Sequence, residues 1–157
     1  MWLGRTKRAA AEFNEAIKLN PSFAAAHAVL GAVLNFQGQS EEGVASVEKG
    51  IRLSPSDPRL FIWLSGLAAA HYQLRHYSRA VEIGRRSWTL NRNYITGLTY
   101  VVAGLAQLER VEEALAALTD LKERDPKVAA LRTTLQLYED QAGIDHLLDG
   151  LRKAGFE

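Results

Sequence analysis

A 34-residue period constrains this chain more than any other feature of its sequence. Between Asn20 followed by Pro21 and Ser54 followed by Pro55, the chain reads as two amphipathic helices back to back. The first carries His27, Leu30, Gly31 and Leu34, and the second carries Gly43, Val47 and Gly50. The same skeleton precedes this unit in part, as Gly4, Ala9, Phe13, Ala16 and Pro21, and follows it twice. Those later copies carry Leu64, Leu67, Ala68, His71 and Ala80, then Leu98, Val101, Val102, Leu105, Ala114, Leu118 and Pro126. Ala9 and Gly43 lie 34 positions apart, Gly43 and Ala80 37, and Ala80 and Ala114 34. A helix pair of this length cannot bury its apolar stripe alone. Stacked neighbours can, and the product is a solenoid.

Local signals agree with the period. The first full helix is expected over residues 6–19, with Ala9, Phe13, Ala16 and Ile17 on one stripe. Trp2, Leu3 and Gly4 read as the end of an earlier helix, because Gly4 matches Gly38 one period later, so the chain is expected to open in mid-repeat. Asn20 is expected to cap the next helix with Pro21 at its first position, a junction that recurs at Asp57 and Asp125 before prolines and at Asn91 without one. The three extra residues of the middle repeat fall in its loop, since Pro21 to Leu30 and Pro58 to Leu67 both span nine positions. Glycine within a helix costs about 1 kcal/mol relative to alanine, so its recurrence implies close helix approach. The expected pairs are Gly31 against Gly43 or Val47, Ala68 against Ala80, and Ala103 with Gly104 against Ala114. After Pro126 a helix is expected to reach about Tyr138. Gly143 interrupts, and Ile144, Leu147, Leu148 and Leu151 then form the apolar stripe of a last helix ended by Gly155, with a polar outside that suits a terminal cap.

Composition sets the outer limits. With 157 residues, 47% hydrophobic and 24% charged, the chain can bury a continuous core. It has no cysteine, which removes disulfides and thiolate metal sites. Residues 1–5 lead into charged helix without the apolar core of a signal peptide, and a cytoplasmic setting is expected. Residues 19–40, 60–74 and 93–108 are nearly free of charge, yet polar breaks or shortness disqualify them as membrane spans, which need about 20 apolar residues. They read as buried helices. Residues 1–92 hold 12 basic and 7 acidic side chains (+5), and residues 93–157 hold 7 and 11 (−4). That polarity favours an oriented protein partner or head-to-tail contacts over general polyanion binding.

Period, pairing and marker residues together resemble the tetratricopeptide repeat family. Ala9, Phe13, Ala16 and Pro21 match the second half of its motif, and Leu30 with Gly31, Gly38 and Pro55 match well, while Gly84 and Ser87 depart from it. The resemblance implies an all-α, right-handed α–α superhelix: a half repeat (1–20), repeats 21–56, 57–91 and 92–125, an extra helix (126–140) and a capping helix (141–157). The tail at residues 144–155, IDHLLDGLRKAG, is similar to the C-terminal repeat regions of some bacterial class III adenylate/guanylate cyclases. That likeness implies the regulatory region of a larger signalling protein.

Catalytic chemistry has little footing here. There is no glycine-rich phosphate loop, and residues 38–43 (GQSEEG) read as a helix end followed by a helix start at Ser40. His27 and His71 fall in inward helix slots, His76 in a loop and His146 on the last helix, with no metal-ligand spacing. No enzyme activity, cofactor or metal is expected. Arg79, Arg85, Arg86 and Arg92, with Arg75, Trp88 and Tyr94, form one basic concentration. It reads as a solvated outer helix face more than a phosphate patch, because the whole chain is close to neutral, and neither nucleic acid nor membrane is expected as a partner.

In this family the first helix of each pair lines a concave groove. Repeat alignment puts Ala28, Ala32, Asn35 and Phe36, then Ser65, Ala69, Tyr72 and Gln73, then Thr99, Ala103 and Gln107 on that face. Small residues leave room for a helix or extended peptide, and Asn35, Gln73 and Gln107 can bond its backbone. The slots of the family's carboxylate clamp hold Ala28 and Ala32, which speaks against chaperone-tail specificity. The expected function is a protein-interaction module for a helical or extended segment. Self-association through the charged ends is the alternative, and the chain's own tail could instead fill the groove.

Overall fold

The computed structural model describes residues 3–157, so Met1 and Trp2 lie outside the described residues. These described residues form nine α-helices and no strand. In chain order they are α1 (Leu3–Leu19), α2 (Ala24–Phe36), α3 (Ser40–Leu53), α4 (Leu60–Gln73), α5 (Tyr77–Leu90), α6 (Thr96–Gln107), α7 (Val111–Arg124), α8 (Ala129–Leu137) and α9 (Gln141–Lys153). Helices α2 with α3, α4 with α5 and α6 with α7 are the antiparallel pairs of an α–α superhelix, and α1 stacks on α2. Gly4 belongs to the first turn of α1 rather than to the end of an earlier helix. Nothing lies within 4 Å of where its Cβ would be, so no close approach asks for a glycine there.

The turn inside each pair repeats one backbone conformation. Gly38 has φ +82°, and Arg75 and Glu109, which follow it by 37 and then 34 positions, have φ +61° and +59°. This left-handed geometry is free for glycine and costs other residues about 1 kcal/mol or more. The turns between pairs differ from the expected caps. The Asn20 side chain accepts from Ser22 N at 3.1 Å, Asp57 from Arg59 N at 2.8 Å and Asn91 from Asn93 N at 3.0 Å. The helices begin a few residues later, at Ala24, Leu60 and Thr96. These are Asx turns, in which the side chain satisfies the loop's own backbone instead of a helix terminus.

Close approach uses the small residues, with one change of partner. A Cβ on Gly31 would lie 2.5 Å from both Gly43 O and Val47 Cγ2, which ties α2 to α3 as expected. Gly104, however, faces Val81 and Tyr77 of α5 in place of the expected contact with Ala114, and Ala103 also meets Gly150 of α9. Gly84 and Ser87 both meet Gly97 of α6 and so bind successive repeats, while the buried Ser87 Oγ donates to Phe61 O of α4, within its own repeat, at 2.7 Å.

The repeat path ends at Val128. Its predecessor at the same position, Phe23, has φ −74°, whereas Val128 has φ +49°. The two Asp125 carboxylate oxygens hold this corner by accepting from Ala129 N (2.8 Å) and Ala130 N (3.0 Å). From here α8 turns along the inner face of the superhelix. Tyr138 and Glu139 reach back to α2, where Glu139 N donates to Phe36 O at 2.9 Å. The chain then reverses as α9, capped by Asp140, which accepts from Gly143 N. Gly143 does not interrupt the last helix. It belongs to the first turn of α9.

Helix α9 is not a further rung on the end of the stack; it lies on the inner faces of α4 and α6. Its buried face is Gly143, Leu147, Gly150, Leu151 and Ala154, while Ile144 and Leu148 are half-buried. Leu147 and Leu151 belong to the same core cluster as Leu64, Leu98, Tyr100 and Leu105.

Candidate functional site

The concave face is built by the inner helices α2, α4 and α6, which present one residue in three or four to it. Sequence alignment named eleven residues for that face, and the structure brings Phe36, Tyr72, Gln73, Ala103 and Gln107 against the tail. Tyr72, fully buried, donates its hydroxyl to His146 O at 2.7 Å and accepts from Gln107 Nε2 at 3.2 Å. Gln73 Nε2 donates to Tyr138 Oη (3.1 Å) and to Gly143 O (3.2 Å). Gln107 also donates to Asp149 Oδ2 at 3.0 Å and accepts from Lys153 Nζ at 2.9 Å. Phe36 meets the Tyr138 ring edge-on, with centroids 4.9 Å apart.

The remaining six serve the array itself or the space beside α8. Asn35 is buried and its Oδ1 accepts from Ser40 Oγ at 2.7 Å, tying α2 to the start of α3. Ser65 donates to Ile62 O within its own helix at 2.7 Å, and Ser65 and Ala69 line a hollow next to α8. Thr99 is buried, with 1% exposure. Ala28 is not a groove residue, since it packs against Gly50 of α3. Ala32, Phe36 and Leu137 line two adjoining apolar hollows of about 470 and 380 Å³, the part of the inner face that α8 and α9 leave open.

Tyr138 and His146 are the tail residues that lock into this face, and sequence reasoning assigned neither a role there. Tyr138 Oη lies 2.9 Å from Tyr100 Oη within the core. Burial pushes the phenols of Tyr72, Tyr100 and Tyr138 upward, so all three stay protonated and able to donate. The His146 ring stacks on Tyr72 at 4.5 Å. Because Gln73 spends its amide hydrogens on Tyr138 and Gly143, its Oε1 accepts from His146 Nδ1–H at 3.1 Å. His146 Nε2 then accepts from the Tyr77 hydroxyl at 2.9 Å. A neutral ring fits that arrangement, whereas a protonated ring reverses the second bond, with Nε2–H donating to the Tyr77 oxygen. Burial, then the Arg75 charge, lowers the His146 pKa from its ordinary value, and Lys153 acts the same way against the opposing pull of Asp149.

Docking of the tail should accordingly depend on pH. A histidine whose folded pKa is depressed binds its proton more readily once released, so acid favours the released form, starting near the unperturbed value of about 6.5. Hydrogen-exchange protection factors over residues 141–153 should therefore fall between about pH 7.5 and about pH 5.5. His146→Gln should flatten that dependence. His71, also depressed mainly by burial and next by His76 and Arg79, destabilises the array in the same direction, so the local readout is the one that decides.

The basic concentration runs along the outer helix α5 and into the turn after it, and Arg79, Arg85 and Arg92 are engaged. Arg79 pairs with Glu82 at 3.0 Å, and Arg85 with Glu113 of α7 at 2.8 Å. The Arg92 guanidinium stacks 3.9 Å over the Trp88 ring, and Arg86 lines an outer hollow with Glu48 and Glu82. His27 Nε2 bonds Pro21 O at 2.8 Å, and His71 and His76 meet through Nδ1 atoms 3.3 Å apart. Among the described residues no group of three or more histidine or carboxylate side chains could hold a metal ion. None of their helices is long and apolar enough to cross a membrane.

The architecture is that of a tetratricopeptide-repeat solenoid whose inner face carries a helix. Solved structures bear out the fold. The chain is similar to MamA at 18% identity, covering 96% of this chain and 87% of that one, with a TM-score of 0.70. It is similar to YrrB, a TPR protein with an unusual peptide-binding site, at 24% identity over 97% and 77% of the two chains (TM-score 0.64). It is also similar to the first TPR of Spaghetti (RPAP3) bound to an HSP90 peptide, at 19% identity over 85% and 94% (TM-score 0.61). No family model matches the sequence, and no curated protein matches it.

Proposed function

We propose that this chain is a non-enzymatic protein-interaction module that takes a helical or extended segment of a partner protein on its concave face. One observation carries the reading: that face already holds an amphipathic helix, α9. It does so partly through bonds from Tyr72 and Gln73 to the backbone carbonyls of His146 and Gly143, which depend little on the side chains of the guest. Peptide binding by the structurally similar YrrB and Spaghetti TPR domains supports the same use of the fold. The units are the repeats at residues 21–56, 57–91 and 92–125, with residues 141–157 as resident occupant. The tail's likeness to cyclase repeat regions extends the reading to a regulatory region of a cytoplasmic signalling protein.

Helical peptides selected from a display library against a chain whose α9 has been released by Leu147→Asp test the proposal. The expected binders protect residues 65–73 and 99–107 from hydrogen exchange and are competed off by a synthetic peptide of residues 139–157. Protection confined to the outer helices α3, α5 and α7 would reject it. Self-association is the second reading. It draws on Val111 and Leu115, 68% and 56% exposed on α7 where the repeat path ends, beside Glu112 and Glu113. Light scattering that reports a monomer at both low and high salt counts against it.

A further inference from the structure

We propose that the groove selects a partner helix by requiring a glycine where the helix crosses Tyr72 and Ala103, flanked by leucine-type side chains three residues before and one after it. The inference rests on the concave face being a receptor for helices, and it reads the partner's chemistry from the helix now seated there. Gly150 of α9 faces the groove floor, and a Cβ added to it would run into the Tyr72 hydroxyl. The same Cβ would lie 3.0 Å from Ala103 Cβ and 3.1 Å from Ala103 O, so the floor closes on it from two helices.

Tyr72 has nowhere to retreat. It is fully buried, its ring lies within 6.0 Å of those of Tyr77, Tyr100 and His146, and its hydroxyl is bonded to His146 O and Gln107. Leu147 and Leu151, on either side of Gly150 along the same face, are fully buried and supply the apolar contact. Gly143, seven positions earlier, is a different case. Its Cβ would meet the Asp140 carboxylate and the Tyr138 ring, both close to it in sequence, so its smallness serves the helix's own cap and is not demanded of a guest. Glycine inside a helix lowers helical propensity, so Gly150 is explained by contact and not by helix formation. The guest is therefore an amphipathic helix containing Leu-x-x-Gly-Leu, with an acidic residue just before the glycine placed to accept from Gln107, as Asp149 does.

The experiment uses the full chain with its own helix released by Leu147→Asp, and a fluorescent peptide of residues 139–157 as the probe. A second peptide carries Gly150→Ala, which raises helix propensity, so any loss of affinity reflects contact. The expected result is that the first peptide binds and the alanine analogue binds about tenfold more weakly or worse. Tyr72→Phe in the receptor chain, which removes the obstructing oxygen, should narrow that gap. Equal or tighter binding of the alanine analogue overturns the glycine rule while leaving the receptor reading intact. Failure of both peptides to bind, with residues 141–153 of the receptor unprotected and the rest protected, overturns the receptor reading itself. Should Leu147→Asp unfold the whole chain, the receptor reading falls, and the glycine contact alone is judged within one chain: Gly150→Ala should lower protection of residues 141–153, and adding Tyr72→Phe should restore part of it. An unchanged protection pattern in Gly150→Ala rejects the rule.

Discussion

Gly31→Val is expected to destabilise the array by about 3–5 kcal/mol, a large share of the roughly 5–15 kcal/mol that holds a domain together. The magnitude follows from what the new side chain would strike. The nearest atoms to a Cβ on Gly31 include Gly43 O at 2.5 Å and Val47 N at 2.7 Å, which are main chain of α3 and cannot turn aside. Relief requires α2 and α3 to move apart, and that separation would open Leu30, Asn35 and Val47 to water. Gly66→Ala is the control and should move stability the other way. Its Cβ would meet only Ala32 Cβ at 3.4 Å, an ordinary contact, so the gain in helix propensity of about 0.5–1 kcal/mol is kept. Thermal unfolding of the two variants should diverge, with Gly31→Val losing about 10 °C or more and Gly66→Ala gaining about 2 °C. Similar losses in both variants would show that helix approach at these glycines is not what limits stability.

What the sequence made legible is whatever the repeat states more than once. The helix pairs, the insertion in the middle loop and the contact of Gly31 with Gly43 and Val47 were all readable from the period, because each position is seen several times in different residues. The same logic could have found the left-handed corners at Arg75 and Glu109, which sit in the register of Gly38 but carry no glycine to flag them. The return of the tail into the groove happens once, and no period announces it. Its cause is a single corner at Val128, held by Asp125, in a conformation a β-branched residue rarely adopts. Gly150 was visible on the stripe of Leu147 and Leu151, but nothing along the chain indicates that Tyr72, 78 positions earlier, stands against it. The expected capping role of Asn20 and Asp57 failed for a local reason, since an Asx turn and a helix cap use the same side-chain oxygen.

Leu147→Asp should release α9 while leaving the three repeats folded. Leu147 is fully buried in the core shared with α4 and α6, and a carboxylate there would replace the leucine's apolar contact with a charge among hydrophobic side chains. Within a rigid fold that penalty would exceed about 4 kcal/mol. The tail has a cheaper escape, because undocking returns the introduced carboxylate to water, and the measured cost can rise no higher than the free energy that seats α9. Loss of protection should therefore be confined to residues 138–157 and to the side-chain bonds made by Tyr72, Gln73 and Gln107. The amides of α2 to α7, paired within their own helices, should retain theirs. Far-UV circular dichroism should lose about the content of one helix, and a single sharp melt of the remainder should persist. Global unfolding of the Leu147→Asp chain would instead make α9 a structural part of one core. In that case the inner face would have no stable existence without its own helix, and exchange with a partner would lose its physical basis.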